Sequence, residues 1–321
     1  MQSVKFASIG GPEVLELVES GVPVPGPGEV LLRQTAVGLN FIDTYHRSGL
    51  YPVALPSGIG LEGAGIVEAV GTDVSLILGS RVGYCWGPIG AYASHRVIPA
   101  DRIVVLPAAV SDEVAAAGML KGCTTEFLVE RCAKVQPGQT VLVQAAAGGV
   151  GLLLVQWLKH IGAVVIATAG SAEKVAMALA HGADHGVVYD TTLPQQVRDW
   201  TGGPGVDVVF DGVGKATFEA SLDSLGRRGL LVSYGNASGP AGPVDIGLLA
   251  RKGSLFVTRP TLFDYYTSRA EIEIHAGRVL DLIASGIIKV NVDQRYALKD
   301  AAQAHRDLEA RKTTGSTVLV P

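Results

Sequence analysis

The rhythm of apolar and polar positions changes twice along this chain. Up to residue 122, short apolar or alternating runs at 30–36, 64–70 and 95–98 lie between Gly/Pro turn signals at 10–12, 23–28, 56–60, 71–73, 79 and 87–88. Short strands punctuated in this way predict a β-rich first domain, a partly closed barrel or a sandwich. From 123 to 260 strand and helix alternate. Strands are predicted at 141–144, 164–168, 185–189, 207–211, 229–233 and 254–257, and helices at 150–161, 171–181, 193–200 and 215–225. That alternation predicts a doubly wound parallel sheet with helices on both faces, an α/β class. The tail carries an amphipathic helix at 269–285, a strand at 289–292, a helix at 299–308 and a strand at 316–320. The last strand is expected to return to the first domain's sheet. The domains are therefore drawn as 1–122 with 261–321, and 123–260 inserted between them.

Residues 137–158 say most about chemistry. They read as a turn, a buried strand (140–144), a small-residue loop (145–149) and a helix start. A loop of Ala and Gly lets a phosphate approach the backbone, and the free N–H groups and positive dipole end of the helix attract it. The pattern Ala147-x-Gly149-x-x-Leu152 departs from the dinucleotide fingerprint, with Ala first and no Gly third. By itself it fits either a phosphate cradle or a tight strand–helix turn. An acidic residue at the end of the second strand would hold the ribose hydroxyls of NAD. Here that strand runs into Ala169-Gly170-Ser171-Ala172-Glu173-Lys174, with no acid at its end. Ser171 and Lys174 suit a 2′-phosphate, hence NADPH. The plain alternative makes Ser171 an N-cap and Lys174 a solvated helix residue.

Composition narrows the class. The chain has 321 residues, 48% hydrophobic and 17% charged, which suits a compact two-domain enzyme. A net charge of −4 gives no case for nucleic acid or an anionic membrane. Cys85, Cys123 and Cys132 show no CxxC spacing, and the N-terminus has no basic start or apolar run. Both point to a reduced, cytoplasmic protein. The apolar run 141–158 is broken by Gln144, Gln156 and glycines, so it makes a poor membrane span.

Longer motifs make the reading specific. They are Gly38-Leu39-Asn40-Phe41-Ile42-Asp43-Thr44-Tyr45, Arg47-Ser48-Gly49-Leu50-Tyr51-Pro52, Leu120-Lys121-Gly122-x-Thr124, residues 145–151 and 171–174, and Tyr234-Gly235-Asn236-x-Ser238-Gly239. Lys252-Gly253-Ser254-Leu255-x-Val257-Thr258-Arg259-Pro260 and Gly315-Ser316 complete the set. With them, essentially the whole chain resembles the zinc-free quinone oxidoreductases, the zeta-crystallin-like branch of the medium-chain dehydrogenase/reductase superfamily, and most closely the bacterial members. The resemblance implies a GroES-like catalytic domain and a Rossmann NADPH-binding domain. It implies a 2′-phosphate clamp of Lys174, Tyr189 and Arg311, assisted by Ser171. Gly148, Gly149 and Val150 would hold the pyrophosphate. Asn40, Phe41, Tyr45 and Thr124 would line the nicotinamide, and Gly235, Asn236 and Ser238 its other side. Tyr189 as an ordinary strand-end tyrosine and Arg311 as a surface cation remain the plain alternatives.

Metal is not expected. Catalytic zinc needs three protein ligands and an open position. Where zinc enzymes of the superfamily carry Cys and Gly-His-Glu, this chain has Asn40 and Gly60-Leu61-Glu62, and the four-cysteine lobe is missing. His181 and His185 are separated by Gly182 and do not form a helical ligand pair. Without a Lewis acid, hydride transfer from NADPH to an already electrophilic quinone is favoured, and the protein contributes positioning. A conjugated enal or enone is the alternative acceptor. Asn40, Tyr45 and Tyr51 are the catalytic candidates; a tyrosine stacks on a flat ring and donates to a developing oxyanion. Phe127 is the candidate nicotinamide-side wall. Asp43 reads as a structural acceptor and Cys123 as a packed thiol. Glu126 replaces the aromatic or apolar residue of bacterial relatives, which matters only if it faces the pocket. Outside catalysis stand a structural NADPH-binding role and RNA binding, the latter without any basic patch to support it. The apolar strand at 254–257 predicts a homodimer across that sheet edge. No membrane partner is expected.

Overall fold

Glycine and proline set the lengths of the N-terminal strands. In order come β1 (Gln2–Phe6), β2 (Glu16–Glu19), β3 (Glu29–Leu39), α1 (Phe41–Ser48), β4 (Ser57–Gly58), β5 (Glu62–Val70), β6 (Arg81–Tyr84), β7 (His95–Pro99), β8 (Val104–Val105) and α2 (Asp112–Glu126). The computed structural model describes residues 1–321 in two units: 1–123 with 266–286 and 290–321, and 124–265 with 287–289. In the first unit β3 is the spine. It pairs antiparallel with β5 along one edge and with β7 over its first five residues on the other. Val30, Leu32, Val37 and Leu39 of β3 bury against Phe6, Ile59, Val67, Val82, Tyr84 and Ile98. Each such side chain contributes about 1.5–3 kcal/mol by leaving water.

Two helices interrupt the stretch expected to be strands alone. α1 begins after Asn40, whose backbone N–H donates to Asp43 Oδ2 at 2.9 Å. The carboxylate three residues into the sequence thus ties down the chain entering the helix. α2 has no polar stripe to reveal its period, because Ala115, Ala116, Ala117, Met119, Cys123 and even Thr125 and Glu126 are fully buried.

The second unit contains β9 (Thr140–Val143), α3 (Gly149–His160), β10 (Val164–Ala169), α4 (Ala172–Ala180), β11 (His185–Val188), α5 (Leu193–Thr201), β12 (Val206–Asp211), α6 (Phe218–Ser224), β13 (Leu225–Ser233), α7 (Ile246–Arg251) and β14 (Phe256–Thr258). Its six strands are all parallel, in the order β11-β10-β9-β12-β13-β14. This is the doubly wound sheet expected from the sequence. Strand order reverses between β9 and β12, where ligands bind beyond the carboxyl ends of the strands. Leu142, Ile166, Val209 and Leu231 form the centre of its core. The short helix α7 was not foreseen.

The tail returns to the first unit. α8 (Arg269–Glu271) runs through a π-helical turn (Ile272–Ala276) into α9 (Gly277–Ala284). Next come β15 (Val292–Ala297), α10 (Ala301–Glu309) and β16 (Ser316–Val320). The strand expected at 289–292 therefore lies later. Lys289 is instead held by the Gln156 side chain, which donates to its carbonyl at 3.0 Å and accepts its N–H at 2.8 Å. β16 pairs antiparallel with β3, Thr317 opposite Leu39 and Leu319 opposite Val37. The last strand thus joins the first unit's sheet, as expected.

Candidate active site

The small-residue loop sits at the carboxyl end of β9, the first strand of the switch point. Gln144 is fully buried and ties β10 to α6: its amide donates to Ser221 Oγ at 3.0 Å and accepts from Thr168 Oγ1 at 2.5 Å. Ala145 follows with φ of +53°. Its N–H donates to Tyr189 Oη at 2.6 Å. Gly148 is the N-cap of α3, extended and with no side-chain cap. The first turn of α3 (Gly149, Val150, Gly151) therefore begins without a competing side-chain acceptor. Gly151 does the close-packing work that the fingerprint assigns to its third glycine, since a Cβ there would lie 2.3 Å from Ala145 O.

Two further loops flank this one. Asp211, at the end of β12, accepts from the N–H groups of Val213 and Gly214, from Thr217 Oγ1 and from Ser221 Oγ, all within 3.0 Å. Gly212 and Gly235 touch so closely that a Cβ on Gly235 would lie 2.3 Å from Gly212 O. Ser238 Oγ donates to Val213 O and accepts from Ala216 N. Gly235, Asn236 and Ser238 therefore lie on the 211–214 loop, fixed by a buried carboxylate that the sequence reading missed. An Asp-Gly-x-Gly run directly after a predicted strand was the available signal.

At the end of β10, Ser171 N-caps α4, accepting from Lys174 N at 3.4 Å. Its hydroxyl also hydrogen-bonds Glu173, which holds that exposed carboxyl below the usual range. The capping alternative for Ser171 is thus realised. Lys174 and Tyr189 are half-buried in the same unit; Arg311 is exposed and belongs to the first unit. Thr124 is half-buried in the last turn of α2. Phe127 is 1% exposed and stacks on Tyr265 with ring centroids 4.5 Å apart. Glu126 does not face solvent: it is fully buried and accepts from Arg131 Nη2 at 2.8 Å.

In the first unit, α1 presents the nicotinamide and acceptor candidates. Phe41, Tyr45 and Tyr51 form one aromatic group, with Tyr45 edge-on to Tyr51 at 5.2 Å and tilted to Phe41 at 6.3 Å. Asn40 Nδ2 donates to Glu62 Oε2 at 2.8 Å, which fixes the amide's orientation. Glu62 is fully buried, accepts Leu120 N–H at 2.6 Å and faces Lys121 Nζ at 3.6 Å. Burial pushes its pKa up; Lys121, Asn40 and the Leu120 N–H oppose that shift. No group of three or more His, Cys, Asp or Glu side chains is arranged to hold a metal ion.

Behind α1 runs a second chain of buried groups. Asp43 Oδ2 accepts from Tyr92 Oη at 2.9 Å as well as from Asn40 N. Desolvation, opposed by these hydrogen bonds, pushes Asp43 up to about 7. Tyr92 Oη meets His305 Nε2 at 3.1 Å, and His305 Nδ1 meets Arg47 Nη1 at 3.0 Å. Burial, aided by the charge of Arg47, lowers His305 to about 3, so its ring is neutral. Arg47 has only hydrogens to give, so Nδ1 accepts and Nε2 carries the proton. The donor order is then set: Arg47 to His305, His305 to Tyr92, Tyr92 to Asp43. Asp43 is the structural acceptor that the sequence suggested; its partners were not readable.

Comparison with known proteins gives this geometry a family. Residues 26–108 match the alcohol dehydrogenase GroES-like domain, and residues 149–273 the zinc-binding dehydrogenase family. The chain is 49% identical over 321 residues to a quinone oxidoreductase of Pseudomonas aeruginosa, covering 99% of both. It is 43% identical to a 2-haloacrylate reductase of Burkholderia, covering 97% of this chain and 96% of the relative. The crystal structure of Escherichia coli quinone oxidoreductase complexed with NADPH superposes with a TM-score of 0.98 at 48% identity, covering all of both chains. The chain belongs to the quinone oxidoreductases of the medium-chain dehydrogenase/reductase superfamily.

Proposed function

We propose that this protein reduces quinones with NADPH, by hydride transfer and without zinc. The observation that carries this is the near-complete superposition on the NADPH-complexed quinone oxidoreductase, together with a phosphate loop at the sheet's switch point. The loop fits a dinucleotide: α3 starts on two glycines without a side-chain cap, and Gly151 leaves no room for a Cβ. In this reading 123–260 is the NADPH-binding domain, and 1–122 with 261–321 the catalytic one.

NADPH, when bound, supplies the hydride. Gly148, Gly149 and Val150 offer N–H groups to its pyrophosphate, and Lys174, Tyr189 and Arg311, with Ser171, offer charge and donors to the 2′-phosphate. Gly235, Asn236 and Ser238 support the nicotinamide from the 234–239 loop; Thr124 and Phe127 belong to the same set. Asn40, Tyr45 and Tyr51 are assigned to the acceptor. Glu62 holds one Asn40 amide hydrogen, so the amide cannot flip, and the tyrosines offer flat apolar faces with O–H groups. A quinone completes its reduction by gaining one hydride and one proton.

The donor set around Glu62 does not suit zinc. A buried lysine ammonium and an amide N–H group already face that carboxylate, and neither is a zinc ligand. The protein is assigned to the cytoplasm; none of its helices is long and apolar enough to cross a membrane. A homodimer through β14 is supported by Phe256, 59% exposed on that edge strand. Light scattering that gives a monomer at micromolar concentration would remove this assignment. The 2-haloacrylate reductase relative supports a second reading, reduction of a conjugated carbon–carbon double bond. NADPH oxidation with a benzoquinone, an enone and a 2-haloacrylate separates the two. Quinone turnover well above the others is expected; turnover of the enone or the 2-haloacrylate without the quinone would overturn the quinone assignment.

A further inference from the structure

Ala145 opens the phosphate loop with a positive φ of +53°. An L-residue is strained there, whereas glycine is not. The structure holds it from several sides. Ala145 N–H donates to Tyr189 Oη at 2.6 Å, and its carbonyl accepts Gly148 N–H at 3.0 Å. The first turn of α3 packs on that carbonyl at Gly151. Ala146 N–H donates to Thr168 O at 2.8 Å. Tyr189 follows β11, and its own N–H is anchored to Ala169 O at 3.0 Å, independently of its ring. Since β10 lies between β11 and β9, the Tyr189 side chain straps the loop after β9 from two strands away.

We propose that Tyr189 is a positioning residue for the whole dinucleotide: its hydroxyl oxygen, by accepting the Ala145 N–H, keeps the phosphate loop in the strained shape that receives the pyrophosphate. This rests on reading the second unit as the NADPH-binding domain. It differs from a 2′-phosphate contact in one respect, which is that a nucleotide without that phosphate also depends on Tyr189. A phenol donates and accepts at one oxygen. Donation from Tyr189 to a 2′-phosphate therefore strengthens its acceptance from Ala145, linking the adenosine end to the loop.

The test is equilibrium titration with NADPH and with NADH, which lacks the 2′-phosphate, on wild type, Tyr189→Phe, Ala145→Gly and the double variant. Tyr189→Phe is expected to weaken NADH about fivefold, the value of one hydrogen bond, and NADPH by more. Ala145→Gly in the Tyr189→Phe background is expected to restore most of the NADH affinity, because glycine holds a positive φ without a strap. Amide exchange at Ala145 without nucleotide is expected to accelerate in Tyr189→Phe. Unchanged NADH binding in Tyr189→Phe, or an NADH loss that Ala145→Gly does not restore, would overturn the proposal. Wild type binding neither nucleotide would overturn the cofactor reading itself, and this inference with it.

Discussion

Lys121 Nζ stands 3.6 Å from Glu62 Oε2, with the carboxylate side chain fully buried and that of the lysine 7% exposed. Two opposite charges share a dry site that also fixes Asn40. Removing one of them strands the other. Lys121→Met is expected to lower unfolding free energy by about 3–5 kcal/mol, and Glu62→Gln together with Lys121→Met to recover much of that loss. Denaturant unfolding of the single and double variants checks this. A double variant no more stable than Lys121→Met would show that the pair is not the source.

Asp43 gives a signed pH dependence. Its folded pKa is raised from 3.8 to about 7. A raised folded pKa means stability fully present below the unfolded value and lost as pH rises through the folded one. The stability of wild type relative to Asp43→Asn is therefore expected to fall between about pH 4 and 7. Unfolding curves across that range decide it; a constant difference would mean that Asp43 does not titrate there.

His305 acts in the opposite sense. Its folded pKa is lowered from 6.5 to about 3. The folded state binds fewer protons than the unfolded one, so stability is complete above about pH 6.5 and lost as pH falls toward 3. His305→Gln is expected to remove this acid sensitivity while costing stability at neutral pH. Acid unfolding midpoints of the two proteins provide the comparison.

Gly151 carries no side chain because Ala145 O and Ala146 Cα lie 2.3 and 2.7 Å from where a Cβ would stand. Both are backbone, so neither moves cheaply. Gly151→Ala is expected to cost about 1–3 kcal/mol and to weaken NADPH and NADH alike. Calorimetric melting and nucleotide titration check both effects together.

Lys174 tests the phosphate assignment from the other side. Lys174→Ala is expected to reduce NADPH affinity about tenfold, or about 1.4 kcal/mol, and to leave NADH unchanged. Equal losses for the two nucleotides would place Lys174 elsewhere than at the 2′-phosphate.

The nucleotide sheet was legible because short Val- and Leu-rich strand runs alternate with helical stretches between turn signals. Strand ends at Asp211, Ser233 and Val320 fall where the apolar runs predict. α2 was not legible, since a helix buried on every side has no stripe to read. β15 was misplaced because Lys289 is pinned by a single glutamine side chain, a contact across more than a hundred residues. The site residues stood out where short motifs put them close together, as at 38–52 and 145–151. Glu62 with Lys121, and Asp43 with Tyr92 and His305, meet only after folding, and no spacing announces them.

The pairing of β16 with β3 bears on how this chain leaves the ribosome. Leu39 bonds with a strand that contains residue 317, while the earlier half of the same β3 edge is satisfied by β7. Throughout translation of everything between, the stretch from Val37 to Leu39 keeps an open ladder of amide and carbonyl groups. The nucleotide unit is complete in sequence before that gap can be filled. In the nascent chain the first unit's sheet therefore keeps an unpaired edge at Val37–Leu39 until the last strand is released.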